Sequence, residues 1–351
     1  MKDVNTPISR RHALILGGGV AGGLMAAASP LLGATPRAVA ASVHDEGGGD
    51  NGGFSQATIT QMEAILQTTG TQQNGVLSFE LDRDDLQGYT IGGNTIPTPV
   101  PYSPAWENNG TFYFQKLGGD RRNSRDTDNS GGNGRAILNG DFGGLLPQEI
   151  DPFIDALLTN GLIFQAYHQH FTDIHPNELY YIHFRGVGNP LTLAQGVIAA
   201  VKTTGTPLPQ SMPPNPTTPL PTDQLAQILG GPATVGADGV VTVDVPRRDR
   251  VILGGVPISP FLNIDTAIAF EPLDSGGTMA AVAPDFSLVA SEIQSVIGVM
   301  RQQGWVIGCL YNQETEERPQ LYFSHQLKVG DPVALAQEVR RGLDQTNSAR
   351  P

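Results

Sequence analysis

Residues 162–196 read LIFQAYHQHFTDIHPNELYYIHFRGVGNPLTLAQG, and residues 305–338 read WVIGCLYNQETEERPQLYFSHQLKVGDPVALAQE. The second stretch repeats the first about 143 residues downstream. Pro176/Pro319, Leu179-Tyr180/Leu321-Tyr322, His183/His325, Gly188/Gly330, Pro190/Pro332 and Leu193-Ala194-Gln195/Leu335-Ala336-Gln337 coincide. A period this long marks a duplicated domain, since solenoid repeats run at about 20–50 residues. The copies differ where chemistry can reside. The first carries His168, His170, His175 and His183, and the second has Tyr311, Gln313, Arg318 and His325 in their places.

Working outward, each copy reads as the same series of elements. An amphipathic helix opens it, with Ile59, Met62, Ile65 and Leu66 in one copy and Leu225, Ile228 and Leu229 in the other. Alternating strands follow: Val76–Leu81 matches Val240–Val245, and each run then reaches an arginine, Arg83 or Arg247. Thr111–Phe114 matches Ala267–Phe270, and Asp141-Phe142 matches Asp285-Phe286. A helix ends at Gly161 or Gly304, with Asp151 as its expected cap and Pro152 at its first position in copy one. In copy two, Ser291-Glu-Ile-Gln294 reads as a capping box. A two-strand hairpin bears the histidines, and a last helix starts at Asn189-Pro190 or Asp331-Pro332. Strands in runs with late helices predict an α+β fold: two tandem homologous domains, each an antiparallel sheet with helices packed on one face.

The expected domains cover 54–205 and 222–346, joined by a spacer over 206–221 in which seven of residues 207–221 are proline. Ahead of them, residues 7–16 (PISRRHALIL) match the twin-arginine export pattern, and Ala38-Val39-Ala40 offers small residues for cleavage, so 1–40 reads as a signal peptide. Residues 41–53 read as a polar, glycine-rich leader, and Asp120–Gly132 as a flexible hairpin tip. Gly17–Gly22 fits a dinucleotide fingerprint but lacks the strand, helix and downstream acid that the βαβ unit requires. The destination expected is periplasmic or extracellular, with no stable membrane span in the mature chain.

Net charge is −13, and −16 once residues 1–40 are set aside, which disfavours nucleic acid and anionic membrane surfaces as partners. A small molecule or an envelope component is the expected partner. The lone cysteine, Cys309, rules out an internal disulfide framework and reads as a buried, inert thiol. Gly-x-Ser-x-Gly, His-Glu-x-x-His and Walker signatures are absent.

Alternate residues of a strand share a face, so His168 and His170 should point the same way about 7 Å apart. If His168 pairs with His183 on the returning strand, all three imidazoles share that face; a one-residue slip turns His183 away. His175, in the connecting loop, can fold back as a fourth ligand. Such a set suits zinc, iron or copper. Against this, His183 recurs as His325 in a copy that lacks the other three, which fits a packing or hydrogen-bonding role. Glu149, matched by Glu292, is the candidate catalytic carboxylate, able to orient a histidine or complete a ligand set. Its alternative is a first-turn acid favoured by the helix dipole. Asp141 and Asp285 are paired between the copies and fit turn positions.

Glu149-Ile150, Gly161, the His-x-His pair, Pro176, Leu179-Tyr180 and His183 together resemble the LppY/LpqO family of exported bacterial proteins, most clearly over 136–203 and 278–345. That family is known by an H-N-H-like motif and has no established activity. Asn312 matches the central Asn, while Tyr311 and Gln313 replace the histidines. Two functions follow: an exported metal-binding protein with its site in the first domain, with a metalloenzyme as one form of it, or a non-catalytic binding module with structural histidines.

Overall fold

Strands with one apolar and one polar face build both halves of the protein. In Val76–Asp82, Leu77, Phe79 and Leu81 are buried while Ser78, Glu80 and Asp82 are only partly so, the period of two that a half-covered sheet imposes. Val241–Val245 repeats the pattern with Val241, Val243 and Val245 inward. The computed structural model describes residues 53–118, 134–211 and 215–351. The expected signal peptide 1–40, nearly all of the leader 41–53 and the expected hairpin tip lie outside the described residues.

The first half runs β1 (Gly70–Gln73), β2 (Val76–Asp82), β3 (Thr90–Ile91), β4 (Val100–Pro101), β5 (Asn109–Leu117), β6 (Arg135–Leu145), β7 (Ile163–His168), β8 (Ile174–His175) and β9 (Tyr180–Gly188). The second runs β10 (Ala233–Val235), β11 (Val241–Val245), β12 (Ile252–Leu253), β13 (Val256–Pro257), β14 (Thr266–Pro272), β15 (Ala280–Leu288), β16 (Val306–Ile307), β17 (Glu317–Arg318) and β18 (Tyr322–Gly330). Each half holds a six-stranded antiparallel sheet, ordered β1-β2-β5-β6-β9-β7 and β10-β11-β14-β15-β18-β16. The remaining short strands form two three-stranded sheets, β4-β3-β8 and β13-β12-β17.

Helices cover one face of each sheet. α1 (Gln56–Leu66), α2 (Ile150–Thr159) and α3 (Pro190–Val201) pack Met62, Phe153 and Val197 against Phe79, Phe112 and Phe184. α4 (Thr222–Leu229), α5 (Ile293–Gln302) and α6 (Pro332–Leu343) pack Leu225, Met300 and Leu335 against Val243, Phe270 and Trp305. This is the duplicated α+β architecture that the sequence predicts. Among the described residues, no helix is long and apolar enough to cross a membrane.

The other faces of the two sheets turn toward each other. The Trp106 indole donates to the Ala269 carbonyl at 3.4 Å, the Asn139 amide to the Leu262 carbonyl at 3.0 Å, and the Ser259 N–H to the Gln115 side chain at 2.6 Å. Arg185 of the first half pairs with Glu316 of the second. One shared apolar cluster joins Tyr102, Trp106 and Phe171 to Ala269, Ala281 and Ala283. Another joins Ile137 to Leu253, Leu262 and Phe323. The described residues of the two halves therefore form one compact unit, and the proline-rich segment connects halves that share their packing.

A buried arginine pins each half. Arg83 donates to the Gly144 carbonyl at 2.6 Å and to both oxygens of Glu149 at 3.0 and 3.1 Å, and Arg247 does the same with Ser287 and Glu292. Glu149 also accepts the Leu146 N–H at 2.9 Å, which closes a turn early, so α2 begins at Ile150 rather than after an Asp151 cap. Pro152 then falls in the first turn, where its missing N–H costs nothing. Likewise α5 starts behind Glu292, which accepts the Val289 N–H at 2.9 Å, and the expected Ser291 capping box does not form. Asn189 and Asp331 cap α3 and α6 as predicted, each followed by proline.

Candidate metal centre

The hairpin β7–β9 sets the first two rings. Its register pairs Ala166 with His183 and His168 with Tyr181, with an irregularity between Phe164 and Ala166. The offset from the expected His168–His183 pairing is two residues, an even step that keeps both side chains on one face. Their Nε2 atoms meet at 2.9 Å. His183 lies directly across from Asp141 of β6, mid-strand and not in a turn, with its Nε2 3.7 Å from Oδ1 of Asp141.

His170 goes elsewhere. β7 stops at His168, and the chain beyond it runs over Gly308 of the second half, where an added Cβ would stand 2.3 Å from the His170 carbonyl oxygen. The His170 ring lies between Tyr181 and His325, stacked on them with centroids 3.3 and 3.4 Å away. The His-x-His pair therefore serves two groupings, and the second is completed by the copy that lacks the other histidines. His175 sits on β8 opposite Thr90, its ring 58% exposed beside Asp173 at 3.4 Å; it does not join the buried rings. Glu149 is held in the Arg83 clamp and also accepts the Gly205 N–H at 2.9 Å.

Two residues ahead of β5, Glu107 supplies the carboxylate. Its Oε2 is 2.9 Å from Nδ1 of His170 and 3.9 Å from Nε2 of His325. Glu107, His170 and His325 are all buried, and they offer ligand atoms within 4.8 Å of one another, a group that can hold a metal ion. Asp285, across β15–β18 from His325, adds an oxygen 3.4 Å from His325 Nδ1. Cys309 Sγ lies 3.7 Å from the same nitrogen, and burial pushes its thiol up, so it stays protonated.

Burial governs the electrostatics. It drives His170, His183 and His325 well below the usual imidazole range, helped in each case by neighbouring imidazoles, and takes His168 down to about 3. It lifts Glu107 and Asp141 well above the carboxylate range, with the Asp285 charge adding to each. Asp285 itself is pushed up to about 8 by burial. The Glu107–His170 contact thus has both partners pressed toward neutrality, which a conventional ion pair would not show. A cation among these groups reverses that pressure by favouring the ionised carboxylates.

Several polar atoms also go without hydrogen-bond partners: Nε2 of His170, Nδ1 of His183, and one oxygen each of Asp141 and Asp285. Buried polar atoms are nearly always paired, so each such orphan marks strain, water, an ion or a ligand. Two imidazoles and a carboxylate suit zinc or ferrous iron, and the orphaned His170 Nε2 is a donor left free for such an occupant, whereas the Asp285 oxygen faces the other nitrogen of His325 from Glu107. The group opens on a cleft of about 640 Å³ between the sheets, lined by Glu80, Trp106, Thr111, Tyr113, Asp141, Asp244 and Asp285 among others.

The sequence carried part of this. Asp141/Asp285 and His183/His325 were visible as pairs preserved in both copies. Glu107 gave no signal: strand register places Asn263 at its counterpart, because Thr111 and Ala267 both face the paired aspartates.

Comparison with curated proteins and with solved structures finds no match. Two segments, 127–203 and 223–345, together more than half of the chain, match one domain family, and the matched segments fall in the two halves described above. The chain belongs to the family described as Domain of Unknown Function (DUF1259).

Proposed function

We propose that this protein binds a divalent transition metal between its two halves, through Glu107, His170 and His325, and brings a small molecule to that ion along the cleft. The observation that carries the reading is His170, 4% exposed, with Nε2 unpartnered and its ring packed on a histidine from the other copy. An ion there supplies a Lewis acid to whatever occupies the cleft. The volume lies in the range of about 300–1,000 Å³ common for small-molecule sites. Glu80, Asp141, Asp244 and Asp285 line it, and no Lys or Arg does among the described residues. That lining favours a neutral or cationic molecule over an anion.

The twin-arginine pattern at 7–16 supports an extracytoplasmic destination reached by a route that allows folding and ion loading before export. The likeness to LppY/LpqO proteins belongs to the same reading. The test is elemental analysis of the purified chain after supplementation with zinc, iron or copper, beside His170→Asn and His325→Asn. Metal should accompany the wild type and be lost in both variants. Equal, near-zero metal in all three removes the reading and leaves a binding module with structural histidines.

A further inference from the structure

We infer that the same cleft holds a second cation site, formed by His168, His183 and Asp141, so that the centre takes a pair of neighbouring ions. Each half carries the same element at equivalent places: an aspartate on one strand directly opposite a histidine on the next, Asp141–His183 on β6/β9 and Asp285–His325 on β15/β18. In the second half this element is joined by Glu107 and His170, which arrive from the first half. The residues that would return the favour are Asn263 and Gln313, and the Gln313 amide instead donates to the Asn263 carbonyl at 2.7 Å.

His168 takes the open place. It occupies the repeat position of Tyr311, and the two rings stack with centroids 3.6 Å apart. Equivalent residues in contact lie at the pseudo-twofold axis, so His168 can reach either group, and its Nε2 is committed to His183 Nε2 at 2.9 Å. Two imidazole nitrogens facing each other share one proton between two lone pairs. A cation in that proton's place uses both lone pairs and sends the proton to Nδ1, which in His168 lies 3.3 Å from the Gln169 carbonyl, the usual arrangement for a ligating histidine. Asp141 offers the carboxylate from the His183 side: its Oδ1 has no hydrogen-bond partner and stands 3.7 Å from the same His183 nitrogen, so an ion there draws it in toward His168.

Charge counting points the same way. Glu107, Asp141 and Asp285 line the cleft with no Lys or Arg among its described lining residues. Glu80 and Asp244 line it as well, so the cleft holds carboxylates enough to offset two divalent ions. The rings of His168 and His170, one from each group, have centroids 5.1 Å apart, so the ions would be close enough to act on one bound molecule, as in two-metal sites.

The inference rests on the metal reading above, and ion counting separates the two. The full-length chain is saturated with zinc chloride, desalted and measured by native mass spectrometry. Two ions per chain are expected in the wild type. Glu107→Gln and His170→Asn should each lose one and keep one, and so should Asp141→Asn and His168→Gln. One ion in the wild type, lost in Glu107→Gln and kept in His168→Gln, overturns the second site and leaves the first. One ion that needs both groups also overturns it. No ion in any sample overturns both proposals. If a variant fails to fold by circular dichroism, the wild-type count still decides between one ion and two.

Discussion

His170 and His325 stack face to face with ring centroids 3.4 Å apart, although each belongs to a different copy of the repeat. The copy that looks degenerate in sequence therefore contributes one of the three buried donors. His325→Ala should weaken zinc binding as much as His170→Ala, about 100-fold or more, because each removes one direct donor. Competition titration with a chromophoric chelator measures it. An unchanged affinity in His325→Ala would return the site to the first half alone.

Gly308 offers a test that leaves every donor in place. A Cβ there would fall 2.3 Å from the His170 carbonyl oxygen and 2.6 Å from the Phe171 ring. The obstruction is backbone, so the loop carrying His170 has to move. Gly308→Ala should cost about 1–3 kcal/mol of stability, as overpacked sites do, and lower zinc affinity at least tenfold. Full affinity with unchanged stability would mean the loop is not held where the stacking requires it.

Glu149 is predicted to matter for stability. Its carboxylate accepts from Arg83, Leu146 and Gly205, and Arg83 is fully buried. Asp85 still pairs with Arg83 at 2.8 Å, but Glu149→Ala leaves the Leu146 and Gly205 N–H groups and part of the buried guanidinium without acceptors, so it should destabilise by about 1–3 kcal/mol, read from urea denaturation. Glu292→Ala, which strips the same clamp from Arg247, should match it. A Glu149→Ala protein of normal stability that has lost function would instead support the catalytic role that the sequence suggested.

One pH effect can be read away from the centre. Glu271 is lifted from 4.5 to about 7, chiefly by burial and further by Asp238, against the Ser103 hydrogen bond. A folded value above the unfolded one means a stabilising contribution that is full below about pH 4.5 and is lost as pH rises through about 7. Glu271→Gln should therefore gain about 2 kcal/mol relative to wild type at pH 8 and little at pH 4.5, since amide and protonated acid are alike there. Thermal melts across that range check it; a gap between the two proteins that does not widen with pH contradicts it.

Local patterns read well from the sequence because they depend on near neighbours. The alternation in Val76–Asp82, the Asn189-Pro190 and Asp331-Pro332 helix starts and the repeat itself all survive into the structure. Helix starts at Ile150 and Ile293 were misplaced because a carboxylate engaged by a distant arginine, invisible in a local window, closes the turn first. The His-x-His spacing promised one shared face, but β7 ends between the two rings. Glu107 and the stacking on His325 depend on how the sheets face each other, and nothing in a linear reading fixes that.

The exchange of side chains across the pseudo-twofold axis has an evolutionary corollary. A homodimer of a single ancestral unit would display identical constellations on either side of its dyad. Fusing the genes in tandem relaxes that equality, since whatever one moiety donates the other is free to forfeit. Tyr311 and Gln313 then stand as the tolerated difference between the moieties, and a cut at the proline tract would sever a constellation that neither fragment can rebuild alone.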